Sequence, residues 1–234
     1  MKGLDIEIAW EGPPQCQRCG IRDLVLFADL QRDDFRLIHQ PIDELGFAVG
    51  DVVYRPGDRP DHVFTVREGL VKLEQYLANG GHRIVRLLSQ GDVLGMEALL
   101  GQPYQHEATV LEPLLVCRIP ISVVERLSRE TPRLHRQLLT RWQRAVTDAD
   151  AWLTGLSTGT AQARVARLLL RLSERRPDRR CFLPTRDDIG AMLGITSETA
   201  SRVVAELKRG GLVRELDPKH AQIDSDGLQR IASR

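Results

Sequence analysis

Cys16 and Cys19 stand three residues apart, and Cys117 follows far downstream in the segment "VCRIP". Thiolates at i and i+3 can ligate one metal ion or cluster, with a distant third closing the site. Thiol-redox and zinc sites use the same spacing, so the pattern by itself leaves the ligand open. A second set of residues is suited to polar recognition. In "SETASRVVAELKR", Glu198, Ser201, Arg202 and Ala205 recur at i, i+3, i+4 and i+7. That spacing places them on one helical face, with Ala200, Val203, Val204 and Leu207 on the other. Arginine can bond guanine O6 and N7, glutamate can accept from cytosine N4, and serine reaches either base type. Thr185, Ser197, Thr199 and Lys208 complete the candidate DNA contacts. Enzymatic chemistry finds little footing: there is no G-x-x-x-x-G-K and no H-E-x-x-H.

The elements that must present the second set are legible. Thr185 can cap a helix whose first turn carries Asp187 and Asp188, where the helix dipole favours negative charge. Ile189, Met192 and Leu193 supply its buried side, Gly194 permits a turn, and Thr196 caps the next helix, which ends at Gly210-Gly211. This is a helix-turn-helix. "GLVRELDPKHAQID" then alternates about Asp217-Pro218 and predicts a two-stranded wing.

Upstream, residues 47–119 read as short strands divided by glycines, with Asn79-Gly80 marking a hairpin, as in a small all-β barrel or sandwich. Thr131-Pro132 opens a helix. Beyond it Leu134, Leu138, Trp142, Ala145, Ala149, Trp152 and Leu156 recur at steps of 4, 4, 3, 4, 3 and 4. That is close to a coiled-coil period and predicts a dimer seam. Ser157-Thr158-Gly159-Thr160 reads as a hinge, and a further amphipathic helix covers residues 161–175.

The 234 residues are 42% hydrophobic and 28% charged, enough for one large or two modest domains and too apolar for a disordered chain. The net charge of +1 hides an asymmetry: residues 156–234 carry 15 basic and 10 acidic side chains, the remainder 18 and 22. A basic C-terminal part suits nucleic acid. No apolar run approaches the roughly 20 residues of a membrane span, no signal peptide is evident, and the cysteines are few. A soluble cytoplasmic protein without a membrane partner is the expectation.

The order barrel, long helix, winged helix-turn-helix resembles the CRP/FNR transcription regulators over nearly the whole chain. The likeness is carried by "GDVLGMEALLG" at 91–101, "LLVCRIP" at 114–120 and "SETASRVVAELKRGGLV" at 197–213. Glu198-x-x-Ser201-Arg202 is similar to the FNR branch; the CRP branch has Gly in place of that Ser. The resemblance implies an α+β fold. Residues 1–130 would form an N-terminal segment and a sensory double-stranded β-helix (jelly-roll, cyclic-nucleotide-binding-like) barrel. Residues 131–156 would be the dimerisation helix and 157–234 the winged helix-turn-helix domain. It implies a homodimer on a palindromic double-stranded operator with TTGAT-like half-sites. Arg202 would read the guanine, Glu198 the opposite cytosine, and Ser201 would lie beside the thymines, with RNA polymerase as a further partner.

CRP-type barrels present an Arg-Ser pair to cyclic AMP; His106 and Glu107 stand at those positions here. A carboxylate there would repel a cyclic phosphate, so cyclic AMP is not expected. FNR-like oxygen sensors hold a 4Fe–4S cluster with four cysteines, and Cys16, Cys19 and Cys117 match three of them. The remaining position, six residues after Cys19, is Val25. A three-cysteine cluster sensing oxygen or nitric oxide would need another ligand, with Asp23 and Asp29 as candidates; otherwise the cluster function is lost. His39, His62, His82 and His106 keep haem open, although each reads as a surface or turn residue, and Cys181 reads as a small packed or partly exposed residue. Another small-molecule signal, no ligand at all, or a barrel acting through protein contacts are the alternatives.

Overall fold

A computed structural model describes residues 26–233 apart from 28, 32, 33, 39, 79 and 175–179. Cys16, Cys19, Asp23, Val25 and His39 lie outside the described residues. The chain divides into two compact units, one holding Val85–Ala145 with the chain up to Tyr76, the other Leu77–Ile84 with Val146–Arg234.

The first unit is built on a six-stranded sheet. Its strands are β1 (Asp43–Phe47), β2 (Val52–Tyr54), β3 (His62–Tyr76), β4 (His82–Leu88, of which the part from Val85 belongs to this unit), β5 (Val93–Leu94) and β6 (Glu107–Pro120). Strands β3 and β6 form its spine, antiparallel from His62 opposite Pro120 to Glu74 opposite Glu107, with register shifts between Val66 and Val71. β1 and β2 pair antiparallel with β6, and β4 and β5 flank β3. Val63, Val66, Val71 and Leu73 point into one buried cluster with Ala108, Val110, Val116 and Ile119. Helix α1 (Ile121–Glu130) adds Val123, Val124 and Leu127 to it. Leu26, Phe27, Leu30 and Ile38 are buried in the same cluster. Burying such aliphatic side chains is worth about 1.5–3 kcal/mol each.

Thr131 ends α1, and Pro132 opens helix α2 (Pro132–Leu156), as the Thr-Pro pair predicts. The expected seam is divided differently. Leu134 is fully buried and Leu138 half-buried against the barrel cluster, Leu156 is buried, and Trp152 lies under the Arg171 guanidinium. Ala145 and Ala149 are half-buried. Leu134, Leu138, Trp152 and Leu156 are thus committed within the chain. Of the expected set Trp142 is exposed, and it belongs to another row: Leu139, Trp142, Val146 and Leu153 are between 38% and 64% exposed. With Ala149, these run at steps of 3, 4, 3 and 4. Two adjacent apolar stripes fit one sequence pattern, and periodicity cannot say which meets the chain's own core.

The second unit contains α3 (Ala161–Glu174), β7 (Arg180–Phe182), α4 (Arg186–Leu193), α5 (Ser197–Arg209), β8 (Val213–Asp217), β9 (His220–Ile223) and α6 (Ser225–Ala232). The wing has three strands, in order β7-β9-β8, where the alternation predicts two. Cys181 pairs with Ala221, and its buried thiol lies against the carbonyls of Leu169 and Phe182. It is a packed residue, as expected. Among the described residues, no helix is long and apolar enough to cross a membrane.

Candidate nucleic-acid interface

Thr185 accepts a hydrogen bond from the Asp188 amide at 3.1 Å, which starts α4, and Gly194 stops it at φ +65°. Gly190 is required for a different reason: a Cβ there would lie 2.7 Å from the Ile195 carbonyl oxygen. The two helices therefore cross closely at a position with no room for a side chain. Thr196 then caps α5 by accepting from the Thr199 amide at 3.2 Å. Ala200, Val203, Val204 and Leu207 bury one face of α5, and Gly210 ends it. The opposite face is what remains for a partner.

On that face Ser197, Glu198, Ser201 and Arg202 are exposed. Thr199 is half-buried, and its hydroxyl accepts from Thr196 at 3.0 Å. The Thr185 hydroxyl donates to the Asp188 carboxylate at 2.7 Å, so it serves the cap. Lys208, also half-buried, is bound by Glu215 of β8. Arg186 approaches the same carboxylate at 3.8 Å, so Glu215 ties the ends of both helices to the wing. Two cationic groups that the basic composition suggests for DNA are thus partly neutralised within the unit. Exposed Arg209 and Arg214 add charge that the motif reading did not single out; Arg214 bonds Gln222 across the wing.

Behind this surface, Arg164 of α3 donates to the Leu193 carbonyl at 2.8 Å, holding the end of α4. Arg167 donates to the carbonyls of Gly155, Thr158 and Ala232, each at 2.8 Å. The hinge read from Ser157 to Thr160 is therefore fastened to α3. Nothing in the sequence pattern marks these arginines, because their work is to satisfy carbonyls at helix ends.

In the barrel, Glu107 accepts from the Tyr76 hydroxyl at 3.0 Å, and Arg55 stands at 3.7 Å. Glu74, opposite it in register, is buried with Thr109 at 2.8 Å and Lys72 at 3.1 Å. Cys117 is buried on β6, opposite Glu44 and Thr65. Asp29 is exposed and is bonded by the Gln137 side chain. His62 and His106 are half-buried, and burial pushes both below the usual imidazole value; Arg118 adds for His62, while for His106 Glu97 opposes and Arg86 adds. His82 is half-buried on β4. Among the described residues, no group of three His, Cys, Asp or Glu side chains is placed to hold a metal ion.

Residues 44–131 match the cyclic nucleotide-binding domain, and residues 163–231 match the Crp-like helix-turn-helix domain. The chain is 29% identical to the transcriptional activator protein FnrA of Stutzerimonas stutzeri, over 97% of this chain and 96% of that one. It is 28% identical to the fumarate and nitrate reduction regulatory protein of Vibrio cholerae, over 85% and 82%. A CRP/FNR family transcriptional regulator from Thermus thermophilus superposes with TM-score 0.68 at 29% identity, covering 82% of this chain and 99% of that one. FixK2 from Bradyrhizobium japonicum shares the fold, with TM-score 0.74 at 24% identity over 82% and 98%. With a barrel and a helix-turn-helix each matched in place, and with regulators rather than enzymes as its relatives, the chain belongs to the CRP/FNR family of transcription regulators.

Proposed function

We propose that this regulator works as a homodimer on a palindromic operator with TTGAT-like half-sites. The observation that carries the reading is α5, with one face buried and with Ser197, Glu198, Ser201 and Arg202 exposed on the other. Arg202 would pair with guanine, Glu198 with the cytosine of the opposite strand, and Ser201 would lie beside the thymines. Ser197 and Thr199 at the helix start would reach phosphate, where the helix dipole favours anions. Thr185 and Lys208 would assist mainly through the cap and the wing that they hold. In functional terms residues 1–130 sense, 131–156 dimerise and 157–234 bind DNA. The exposed row from Leu139 to Leu153 supplies the seam, and RNA polymerase is the partner of the DNA-bound dimer. An electrophoretic shift assay with cognate and scrambled palindromes tests this; equal, sequence-blind binding would overturn it.

The signal we assign is redox or a gas, oxygen or nitric oxide, received at a 4Fe–4S cluster on Cys16, Cys19 and Cys117. The described residues supply one thiol of that set and no complete donor group, and Asp29 is already engaged by Gln137. Support comes from the C-x-x-C pair and from Leu26, Phe27 and Leu30, which lie in the same buried cluster as Cys117. Leu26 is seven residues beyond Cys19. Relatives are named as anaerobic regulatory proteins, one from Pasteurella multocida among them. Cyclic AMP is disfavoured by Glu107, which has a second carboxylate, Glu74, opposite it. Protein purified without oxygen should show absorbance near ~400 nm together with iron and sulfide. Colourless, iron-free protein that binds DNA equally well with Cys16, Cys19 and Cys117 all replaced by Ser would make the cysteines structural.

A further inference from the structure

Three side chains on successive turns of α2 reach back into the barrel unit. Arg133 binds the Asp34 carboxylate with Nη2 at 2.8 and 2.9 Å and Nε at 3.2 Å. Gln137, four residues on, binds Asp29. Arg141, four further, donates from Nη1 to the Gly91 carbonyl at 3.1 Å, at the turn before β5. The first two partners belong to the stretch before β1, whose Leu26, Phe27 and Leu30 are buried in the barrel cluster. Asp34 is itself well held: it is buried, and it also accepts from the Gln31 amide at 2.7 Å and from Thr131 at 3.3 Å.

At 3.6 residues per turn, positions 133, 137 and 141 advance by about 40° each. The row of Leu139, Trp142, Val146 and Leu153 centres about 170° away around the same helix. One face of α2 is therefore pinned to the N-terminal stretch, while the nearly opposite face is the apolar row. A helix held along one edge at three levels cannot roll without breaking those contacts.

We propose that Asp29 and Asp34 form a brace that sets the rotation of α2, and so controls how the apolar row is offered to a second chain. The inference rests on the dimer reading and deepens it: dimer strength and DNA affinity respond to whether the brace is docked. The pin is the Asp34–Arg133 pair, because it is the most fully bonded of the three contacts. Gln137 and Arg141 are positioning residues on the same edge.

The test is a double-mutant cycle on the full chain. Asp34→Asn keeps the acceptor for the Gln31 amide and removes the charge; Arg133→Gln removes the guanidinium. Sedimentation gives the dimer dissociation constant, anisotropy gives operator affinity, and hydrogen exchange reports on residues 26–37 together with the core strands β3 and β6. Each single variant should weaken dimerisation about tenfold, within the usual range of coupling between sites, and the double variant should be no worse than either. Exchange should rise in residues 26–37 with β3 and β6 still protected. A dimeric wild type whose constant and operator affinity do not move in the variants overturns the brace alone. Losses that appear only alongside exposure of β3 and β6 overturn it too, since they reveal a merely structural pair. A wild type that stays monomeric with operator overturns the dimer reading itself, and the brace with it.

Discussion

Arg202 is exposed on the free face of α5, near its start, where a recognition helix meets base edges. Replacing it with Ala should cost about 1–3 kcal/mol on the cognate site and relax the preference at the guanine alone. Anisotropy titrations against single-base variants of the operator check this; equal losses on every sequence would reduce Arg202 to a phosphate contact. Asp34 makes a prediction about pH. Its burial opposes ionisation, but the Arg133 guanidinium, the Gln31 amide and the Thr131 hydroxyl outweigh it and hold the carboxyl below its ordinary range. A depressed carboxyl contributes stability above its unfolded value and loses it as pH falls through the folded one. Amide protection in residues 26–37 should therefore decline from about pH 4 downward, and Asp34→Asn should flatten that dependence. An unchanged profile in the variant would place the acid sensitivity elsewhere.

The two helices of the DNA-binding motif meet at Gly190, where a Cβ has no room. Gly190→Ala should lower the stability of the C-terminal unit by about 1–3 kcal/mol, as overpacked sites do, read from its thermal or urea unfolding. A neutral substitution would mean that the helices can separate freely. The motif was legible in the sequence because capping, turn and burial signals agree: Thr185, Gly194 and Thr196 stand where the structure uses them. The third wing strand and α6 were not legible. Arg180–Phe182 is too short to show a period, and α6 offers one fully buried leucine, Leu228. On α2 the period is legible in the sequence, but which face it marks is not. Leu134 and Leu138 satisfy the same spacing as the free row, and the choice between them depends on where the barrel lies. Trp142→Glu with Val146→Glu should consequently give folded monomers, whereas Leu134→Glu should unfold the barrel unit. Sedimentation with circular dichroism separates the two outcomes, and a dimer that survives the first pair of changes would return the seam to the other stripe.

At the scale of the molecule, an acidic, mostly β N-terminal part and a basic helix-turn-helix part share one chain through a long helix. Sensing, pairing and readout are each assigned to a different stretch, and the account requires them to act together on DNA. Two α5 helices in a dimer would enter successive major grooves about 34 Å apart, so one chain on half an operator should bind weakly. The decisive measurement is an anisotropy titration of the full chain on a TTGAT palindrome, on its single half-site and on a scrambled duplex, across a range of salt. A dimer reading both half-sites should place two chains on each palindrome, prefer it by about 10³ or more over scrambled DNA, and lose most of that preference on Arg202→Ala. Equal affinity for palindrome and scrambled duplex, with the same salt dependence, would contradict it.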